Sequence, residues 1–422
     1  MKSKILNELP QLVKDEVITQ EISDRIKQYY SSKEVSSPNK LLTVFGVLGS
    51  ILVGLGIILI IAHNWDFLPK YIKTLLAFIP LLIGQVMCGY SILKKKSASW
   101  RESSGVFLFF AVGSGMALIS QIYNIPGNFS TYLLTWIALC LPLIYLLRSN
   151  ALYLLTIIFS TYYACQFGLG NNKTPWMYLL LIISVIPFYL VKYKKEGLVN
   201  VLAVSNWLLP LSLISVLGSF VVKEWELLLV MYILLFSSLY IIGMLPLFKN
   251  HSLRKNGFAV LGSIGMIVVL LISSFKWIWE ELNASINYSS QEFMIVVVLL
   301  LINIGLLVMN KLKSQKESFN LFLYIGCLFV LLFFIGLQFN VVGTILVNVL
   351  LFLLGVMAIK RGVDKTHFAI MNYGLLIIST LIICRFFDTN ISFVIRGILF
   401  VLIGVGFFVA NYTMMKLNAK KK

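Results

Sequence analysis

Two short polar clusters interrupt the apolar sequence of this chain, and their side chains can hold a ligand through hydrogen bonds. Amides donate and accept, a carboxylate accepts, and tyrosine and tryptophan add one polar atom to a flat ring. Each cluster follows an apolar run that crosses the membrane in the same predicted direction, so both are expected at one depth on the outer face. The predicted outer site consists of Asn64, Trp65, Asp66, Gln121, Tyr123 and Asn124. The structural alternative is that Asp66 caps the next helix while Trp65 and Tyr123 anchor in the headgroup region.

A third polar group lies near the middle of a later apolar run and contains Asn206, Trp207 and Pro210. Proline removes one helical hydrogen bond and kinks a helix. A carbonyl freed in this way can bind a solute where it lines a cavity. The alternative is an ordinary kink, with Asn206 hydrogen-bonded to a neighbouring helix.

The sequence lacks the usual patterns of catalysis and metal binding. His63, His251 and His367 are far apart, and no phosphate-binding loop, nucleophile elbow or paired-histidine zinc motif occurs. No ionisable residue lies at the centre of an apolar run, which weakens the case for ion-coupled transport. We therefore expect no enzyme activity, no metal and no cofactor.

The elements that must position these residues are membrane helices. Hydrophobic residues make up 59% of the 422 residues and charged residues 12%, against roughly 45–50% and about 25% in soluble proteins. A span needs about 20 apolar residues, and its backbone must satisfy its own hydrogen bonds, so each run is predicted to be a helix. The predicted spans are 41–63, 71–93, 105–123, 131–147, 151–167, 175–191, 197–221, 227–248, 257–274, 293–310, 319–335, 340–359, 367–384 and 392–413.

The fold class is therefore all-α: a polytopic integral membrane bundle of about 14 transmembrane helices. Two pairs are ambiguous, 131–147 with 151–167 and 319–335 with 340–359. Each pair forms either two short spans or one re-entrant hairpin, so the predicted count is 12 to 14.

The basic residues predict the orientation of these helices. With residue 1 inside and every run spanning, 28 of the 35 Lys and Arg fall on the inner side, as in 94–101 and 192–195. This asymmetry predicts that both termini are cytoplasmic. It also accounts for the net charge of +18, so nucleic-acid binding is not expected.

Residues 1–40 are predicted to form a cytoplasmic amphipathic segment and linker. Apolar residues recur at helical spacing, namely Leu9, Leu12, Val13, Ile18, Ile22 and Ile26. Residues 31–40 are polar and contain a proline, which is typical of a linker. The segment either docks a cytoplasmic protein partner or lies on the membrane surface as a helical hairpin.

The longest predicted outer loop, 275–292, is expected to hold an interfacial amphipathic helix. Glu280, Glu281 and Glu292 would face water. Six tryptophans are predicted at the outer membrane boundary, where amphipathic rings favour the headgroups, namely Trp65, Trp136, Trp176, Trp225, Trp277 and Trp279.

Several stretches carry a family resemblance: LGSILVGLGIILIIAHNWDFLPKYIK (48–73), GSGMALISQIYNIPG (113–127) and TWIALCLPLIYLLRSNALYLL (135–155). Together they resemble the bacterial predicted-membrane-protein family called domain of unknown function 2157, over about residues 8–155. The family pattern has a glycine where Glu16 or Val17 stands here. The resemblance implies a bacterial membrane protein and brings no assigned reaction.

These observations lead to three functional hypotheses. The first is a multi-pass protein of the bacterial inner membrane that binds or senses an envelope lipid or small solute at an outer-facing site. The alternatives are a transporter or lipid-linked-sugar flippase, and a scaffold that recruits a partner through residues 1–40. The expected organisation is 1–40, a family-like membrane domain at 41–155, and further transmembrane helices at 156–422.

Overall fold

The computed structural model describes residues 2–32, 65–170, 173–249, 251–282, 286–313 and 319–388, together with scattered residues between 398 and 416. Every long regular element in these ranges is an α-helix and none of the described residues forms a strand, which confirms the all-α prediction. The chain divides into two compact units, residues 1–76 and 77–422, and each is described by itself.

The N-terminal unit begins with two helices that pack on each other, α1 (Lys2–Lys14) and α2 (Gln20–Ser32). The amide of Val17 donates to the Leu12 carbonyl at 3.0 Å, which closes α1 in a Schellman motif. Glu16 occupies the left-handed position of this motif, with φ 54°. Glycine has no steric cost in that conformation, whereas a residue with a side chain, such as Glu16, adopts it only rarely.

The helices from residue 70 onwards follow in chain order. They are α3 (Lys70–Leu93), α4 (Ala98–Ile122), α5 (Phe129–Leu147), α6 (Asn150–Gly168), α7 (Trp176–Glu196), α8 (Asn200–Leu217), α9 (Leu228–Met244), α10 (Gly257–Ser273), α11 (Lys276–Glu281), α12 (Gln291–Lys313), α13 (Ile325–Gln338), α14 (Asn340–Asp364) and α15 (Phe368–Asp388). Ten helices in the described part of the chain are long and apolar enough to cross a membrane, among them α3 to α7.

The predicted count of about 14 spans is not confirmed. The predicted span 41–63 and most of 392–413 lie outside the described residues. Helices α5 and α6 have 19 residues each, which is long enough for two separate spans. Helix α13 has only 14 residues, or about 21 Å at 1.5 Å per residue, which is short of the ~30 Å hydrocarbon core.

Helix α9 lies at the centre of the second unit. In the most apolar stretch of Trp225–Met244, which includes this helix, 72% is buried. The helix packs against α10 through glycines on both helices. A Cβ on Gly243 would lie 2.4 Å from the backbone of Ala259, and one on Gly262 would lie 2.5 Å from that of Tyr240. Small residues allow this close approach of two backbones, which is the usual device for joining membrane helices.

The loop after α10 differs from its prediction. Trp279 was expected at the membrane boundary but is 1% exposed, and its ring lies against Gly336. Glu292 was expected to face water but is 1% exposed. Its carboxylate accepts hydrogen bonds from the amides of Val222 at 2.7 Å and Lys223 at 2.9 Å. The prediction for Glu292 was wrong because loop composition does not reveal the partners that satisfy a buried polar group. The burial of Trp279 leaves its depth in the membrane a prediction.

Candidate functional site

The second predicted polar cluster lies where α4 ends. Gln121 and Tyr123 are exposed there. The amide of Ile125 donates to the carbonyl of Ser120 at 2.9 Å, so α4 also ends in a Schellman motif. Asn124 takes its left-handed position with φ 50°. Asparagine is one of the few residues that tolerate this conformation, so Asn124 has a backbone role whether or not it binds a ligand.

The first predicted cluster is only partly described. Asn64 lies outside the described residues, and Trp65–Phe67, which includes Asp66, is a single 3-10 turn before α3. The ammonium of Lys73 lies 5.5 Å from the centre of the Trp65 ring, within cation–π range. This cluster belongs to the unit 1–76, whereas Gln121 belongs to 77–422. The convergence of the two clusters on one site therefore stays a prediction.

A groove of about 1120 Å³ lies beside the turn that follows α4. Its walls are α3, α4 and α5, and we call it the α3–α5 groove. Apolar side chains form most of the walls, including Phe78, Leu81, Leu108, Val112, Met116, Leu139 and Leu143. Polar groups gather near the turn, namely Ser120, Asn128, Thr131, Tyr132 and Thr135, while Gln85 lies further along α3.

The groove is long as well as large. Its lining on α5 runs from Phe129 to Leu143, a rise of about 21 Å along the helix. Drug-sized ligand pockets occupy about 300–1000 Å³, so the α3–α5 groove exceeds that range. Its shape, an apolar trench with a polar end, suits an amphipathic molecule.

The wall between α4 and α5 is fixed by two hydrogen bonds from aromatic side chains. The Tyr132 hydroxyl donates to the Gly113 carbonyl at 2.9 Å, and the Trp136 indole donates to the Phe109 carbonyl at 2.7 Å. The Trp136 ring fills the space beside Gly113, where a Cβ would lie 2.3 Å from it. Trp136 is therefore a buried packing residue, 8% exposed, and its depth at the membrane boundary stays a prediction.

The groove residues fall within the part of the chain that carries the family resemblance. Residues 10–153 match the family described as predicted membrane protein (DUF2157). This match confirms the resemblance expected over about residues 8–155. No curated protein and no solved structure matches the chain.

The DUF2157 segment contains the whole α3–α5 groove and both predicted polar clusters. None of the predicted site residues that the structure describes lines the groove. The polar residues that do line it were not predicted, namely Gln85, Ser120, Asn128, Thr131, Tyr132 and Thr135. Gln85 is a polar residue inside the predicted span 71–93, and that anomaly was a usable signal. Asn128 was detectable as the cap of α5, since its side-chain oxygen accepts from the Thr131 amide at 3.2 Å.

The third predicted polar group lies outside the DUF2157 segment, and both polar atoms of the Asn206 amide have hydrogen-bond partners. Asn206 is buried, accepts from the Tyr189 hydroxyl at 2.7 Å and donates to the Lys255 carbonyl at 2.8 Å. The Trp207 indole donates to the Arg254 carbonyl at 2.9 Å. Asn206 stands six residues into α8, about 9 Å from its start, and so lies within three residues of the middle of that helix.

Pro210 has a packing role that the sequence did not suggest. Its nitrogen cannot donate to the carbonyl of Asn206, the acceptor four residues earlier in α8. Gly257, the first residue of α10, approaches that oxygen so closely that a Cβ would lie 2.4 Å from it. These contacts agree with the structural alternative, a kink joined to a neighbouring helix.

Proposed function

We propose that this membrane protein binds an amphipathic envelope component, a lipid or lipid-like solute, in the α3–α5 groove. The observation that carries the proposal is the form of the groove, an apolar trench of about 1120 Å³ with polar side chains at one end. The proposed activity is binding or sensing and involves no chemical step.

The polar end indicates what kind of headgroup would fit. A lipid chain gains little from the hydrophobic effect when it moves from bilayer to groove, because lipid tails are already apolar. Selectivity must then come from packing and from hydrogen bonds at the polar end. The described lining carries no ionised side chain, so Ser120, Asn128 and Thr135 favour a hydrogen-bonding headgroup over one recognised by charge.

We further infer that the polar end of the groove faces outward from a bacterial inner membrane, with both termini in the cytoplasm. The support is the charge asymmetry, since 28 of the 35 Lys and Arg lie on the other side when the predicted spans alternate.

A space-filling substitution tests the proposal. Gly115 lines the groove, and a Cβ there meets only the Ala77 carbonyl at 3.6 Å, an ordinary contact. Gly115→Phe should therefore fold and obstruct the groove. Gly305→Phe is the matched control, because Gly305 lies on an exposed face of α12 with nothing within 4 Å of an added Cβ. Native mass spectrometry should show co-purified lipid reduced about tenfold, or 1.4 kcal/mol, in Gly115→Phe alone.

Photo-crosslinking identifies the occupant directly. Leu139 lines the groove and is 59% exposed, so a photoreactive residue placed there would react with whatever fills the trench. A lipid adduct supports the proposal. Crosslinks to residues 41–63 of the same chain would show that the trench holds a protein segment, and the proposal would then be abandoned.

A further inference from the structure

A second cavity of about 540 Å³ lies at the opposite end of α4 from the polar end of the groove. Three elements surround it: the first turns of α4, the turn between α5 and α6, and the last turns of α7. Six charged residues line this basic cavity, namely Arg101, Glu102, Arg148, Lys192, Lys195 and Glu196. Four are cations and two are carboxylates.

One carboxylate, that of Glu102, is hydrogen-bonded to the start of a helix. It accepts from the amides of Asn150 at 2.8 Å and Ala151 at 2.9 Å, from the Asn150 side-chain amide at 2.8 Å, and from the Ser149 hydroxyl. The first amides of a helix lack partners within it, and the helix dipole favours negative charge there. Glu102 therefore compensates the N-terminus of α6.

The other carboxylate, Glu196, pairs with Lys192 at 3.0 Å across one turn of α7. The Lys192 side chain is 14% exposed. This pair satisfies one partly buried cation of the cavity and leaves the remaining three without a carboxylate.

Arg101, Arg148 and Lys195 have no carboxylate partner among the described residues. The Nε of Arg101 is buried and lacks a hydrogen-bond acceptor within the described structure. A buried donor without an acceptor is costly, and three neighbouring cations repel one another. An anion with several acceptor oxygens would remove both costs.

We propose that the basic cavity binds a phosphate group, and that the phosphate belongs to the headgroup of an anionic lipid. Phosphate oxygens match the fork of N–H donors on arginine, and the bonds are charge-assisted. The cavity and the α3–α5 groove share no lining residue, so this inference does not depend on the proposed function.

The surroundings of the cavity favour a lipid over a soluble phosphate. Tyr145, Phe188 and Val191 also line it, and Val191 is 53% exposed. On neighbouring positions of the same helices, Leu146 is 63% exposed and Leu190 is 45% exposed. Exposed apolar side chains, which suit acyl chains, thus occur on the same helices as the cavity, and basic pockets at the cytoplasmic ends of membrane helices are a known way to hold anionic headgroups.

The turn at Arg148 offers a well-controlled test. Arg148 has φ 52° and Lys95, which follows α3, has φ 46°, so both cations occupy left-handed positions after a helix. Asparagine tolerates that conformation, so replacing either cation with asparagine keeps the turn and removes one positive charge. Arg148→Asn should weaken binding of phosphatidylglycerol to the full-length protein about tenfold, measured by native mass spectrometry. Lys95→Asn also removes one positive charge, but Lys95 does not line the cavity, so this variant should leave binding unchanged.

A second pair of variants tests the same cavity in case Arg148→Asn fails to fold. Lys195 lines the cavity and its neighbour Lys194 does not. Lys195→Gln should weaken phosphatidylglycerol binding and Lys194→Gln should not. Equal losses in both members of either pair would show diffuse surface attraction and overturn the site.

Further binding measurements test whether the phosphate belongs to a lipid headgroup or is free in solution. Phosphatidylglycerol should bind at least about tenfold more tightly than phosphatidylcholine, and inorganic phosphate should compete only weakly. Equal binding of the two lipids, or stronger binding of inorganic phosphate than of phosphatidylglycerol, would contradict the assignment to an anionic lipid.

Discussion

The two ends of α4 both lie against α5 and yet present opposite chemistry. At its first turns, Arg101 and Glu102 line a cavity that holds four cations. At its last turns, Ser120 belongs to a groove whose described lining has no ionised side chain. The contrast teaches that one helix bundle can place charged side chains at one end of a helix and neutral hydrogen-bonding side chains at the other.

The helix caps show the same contrast. Helix α5, which begins at the polar end of the groove, is capped locally by Asn128. Helix α6, which begins at the basic cavity, is capped by its own Ser149 and also by Glu102 from another helix. The cap of α6 thus depends on a contact between distant parts of the chain, and the cap of α5 does not.

The largest expected effect is that of Glu102→Gln. The substitution removes the charge that compensates the α6 N-terminus, and hydrogen bonds to charged groups contribute about 1.5–3 kcal/mol each, so we expect a loss of about 3 kcal/mol. The measurement is thermal unfolding in detergent followed by tryptophan fluorescence. Glu196→Gln, at an exposed position, should change stability by less than about 1 kcal/mol. Equal losses of stability in the two variants would show that Glu102 contributes no more than the exposed Glu196.

Ionic strength should separate the two sites. Binding of an anionic lipid to the basic cavity should fall about tenfold between 0.05 and 0.5 M NaCl, because salt shortens the screening length. Retention of the groove ligand should change little over the same range. Native mass spectrometry after equilibration at each salt concentration follows both. A groove ligand as salt-sensitive as the cavity lipid would show that charge dominates at both ends.

A smaller effect is expected for Asn128→Ala. Loss of a neutral helix cap costs about 1 kcal/mol, which is less than the loss predicted for Glu102→Gln. Asn128→Ser keeps a capping oxygen and should restore most of the stability. Thermal unfolding measures both, and phosphatidylglycerol binding at the basic cavity should be unaffected. If Asn128→Ala cost as much as Glu102→Gln, the two caps would be equivalent.

The smallest effect is expected for Asn124→Gly. Glycine adopts the left-handed conformation freely, so stability should change by less than about 0.5 kcal/mol, whereas Asn124→Val should cost about 1 kcal/mol or more. The second readout is ligand retention in the groove. Retention by Asn124→Gly would assign Asn124 to the turn, and its loss would support the predicted ligand role.

Much of the fold followed from the sequence, although the helix ends did not. The run 131–147 predicted α5 to within two residues, because there the apolar run and the helix coincide. The run 105–123 missed the first seven residues of α4, and 175–191 missed the last five of α7. Apolar runs report only the part of a helix within the hydrocarbon, and charged residues such as Lys and Glu continue the helix beyond it.

The sites were harder to predict for the same reason. Arg101, Glu102, Lys192 and Lys195 all lie on those overlooked helical extensions, so the sequence showed their charge but not their convergence. The bond between Glu102 and Ala151 joins residues 49 positions apart, which no local pattern reveals. At the groove, the turn with Gln121 and Asn124 was identified, but the trench depends on three helices meeting.

The contact between Glu102 and the start of α6 has a consequence for assembly. A nascent chain that ends at Leu147 already contains every groove helix, and yet the carboxylate of Glu102 still lacks its partners Ser149 to Ala151. Only when these residues emerge can the carboxylate and the open helix terminus neutralise each other. The stretch that matches the family ends at residue 153, just beyond them. Glu102 thereby sets a minimum length for any fragment of this region that is to insert and pack by itself.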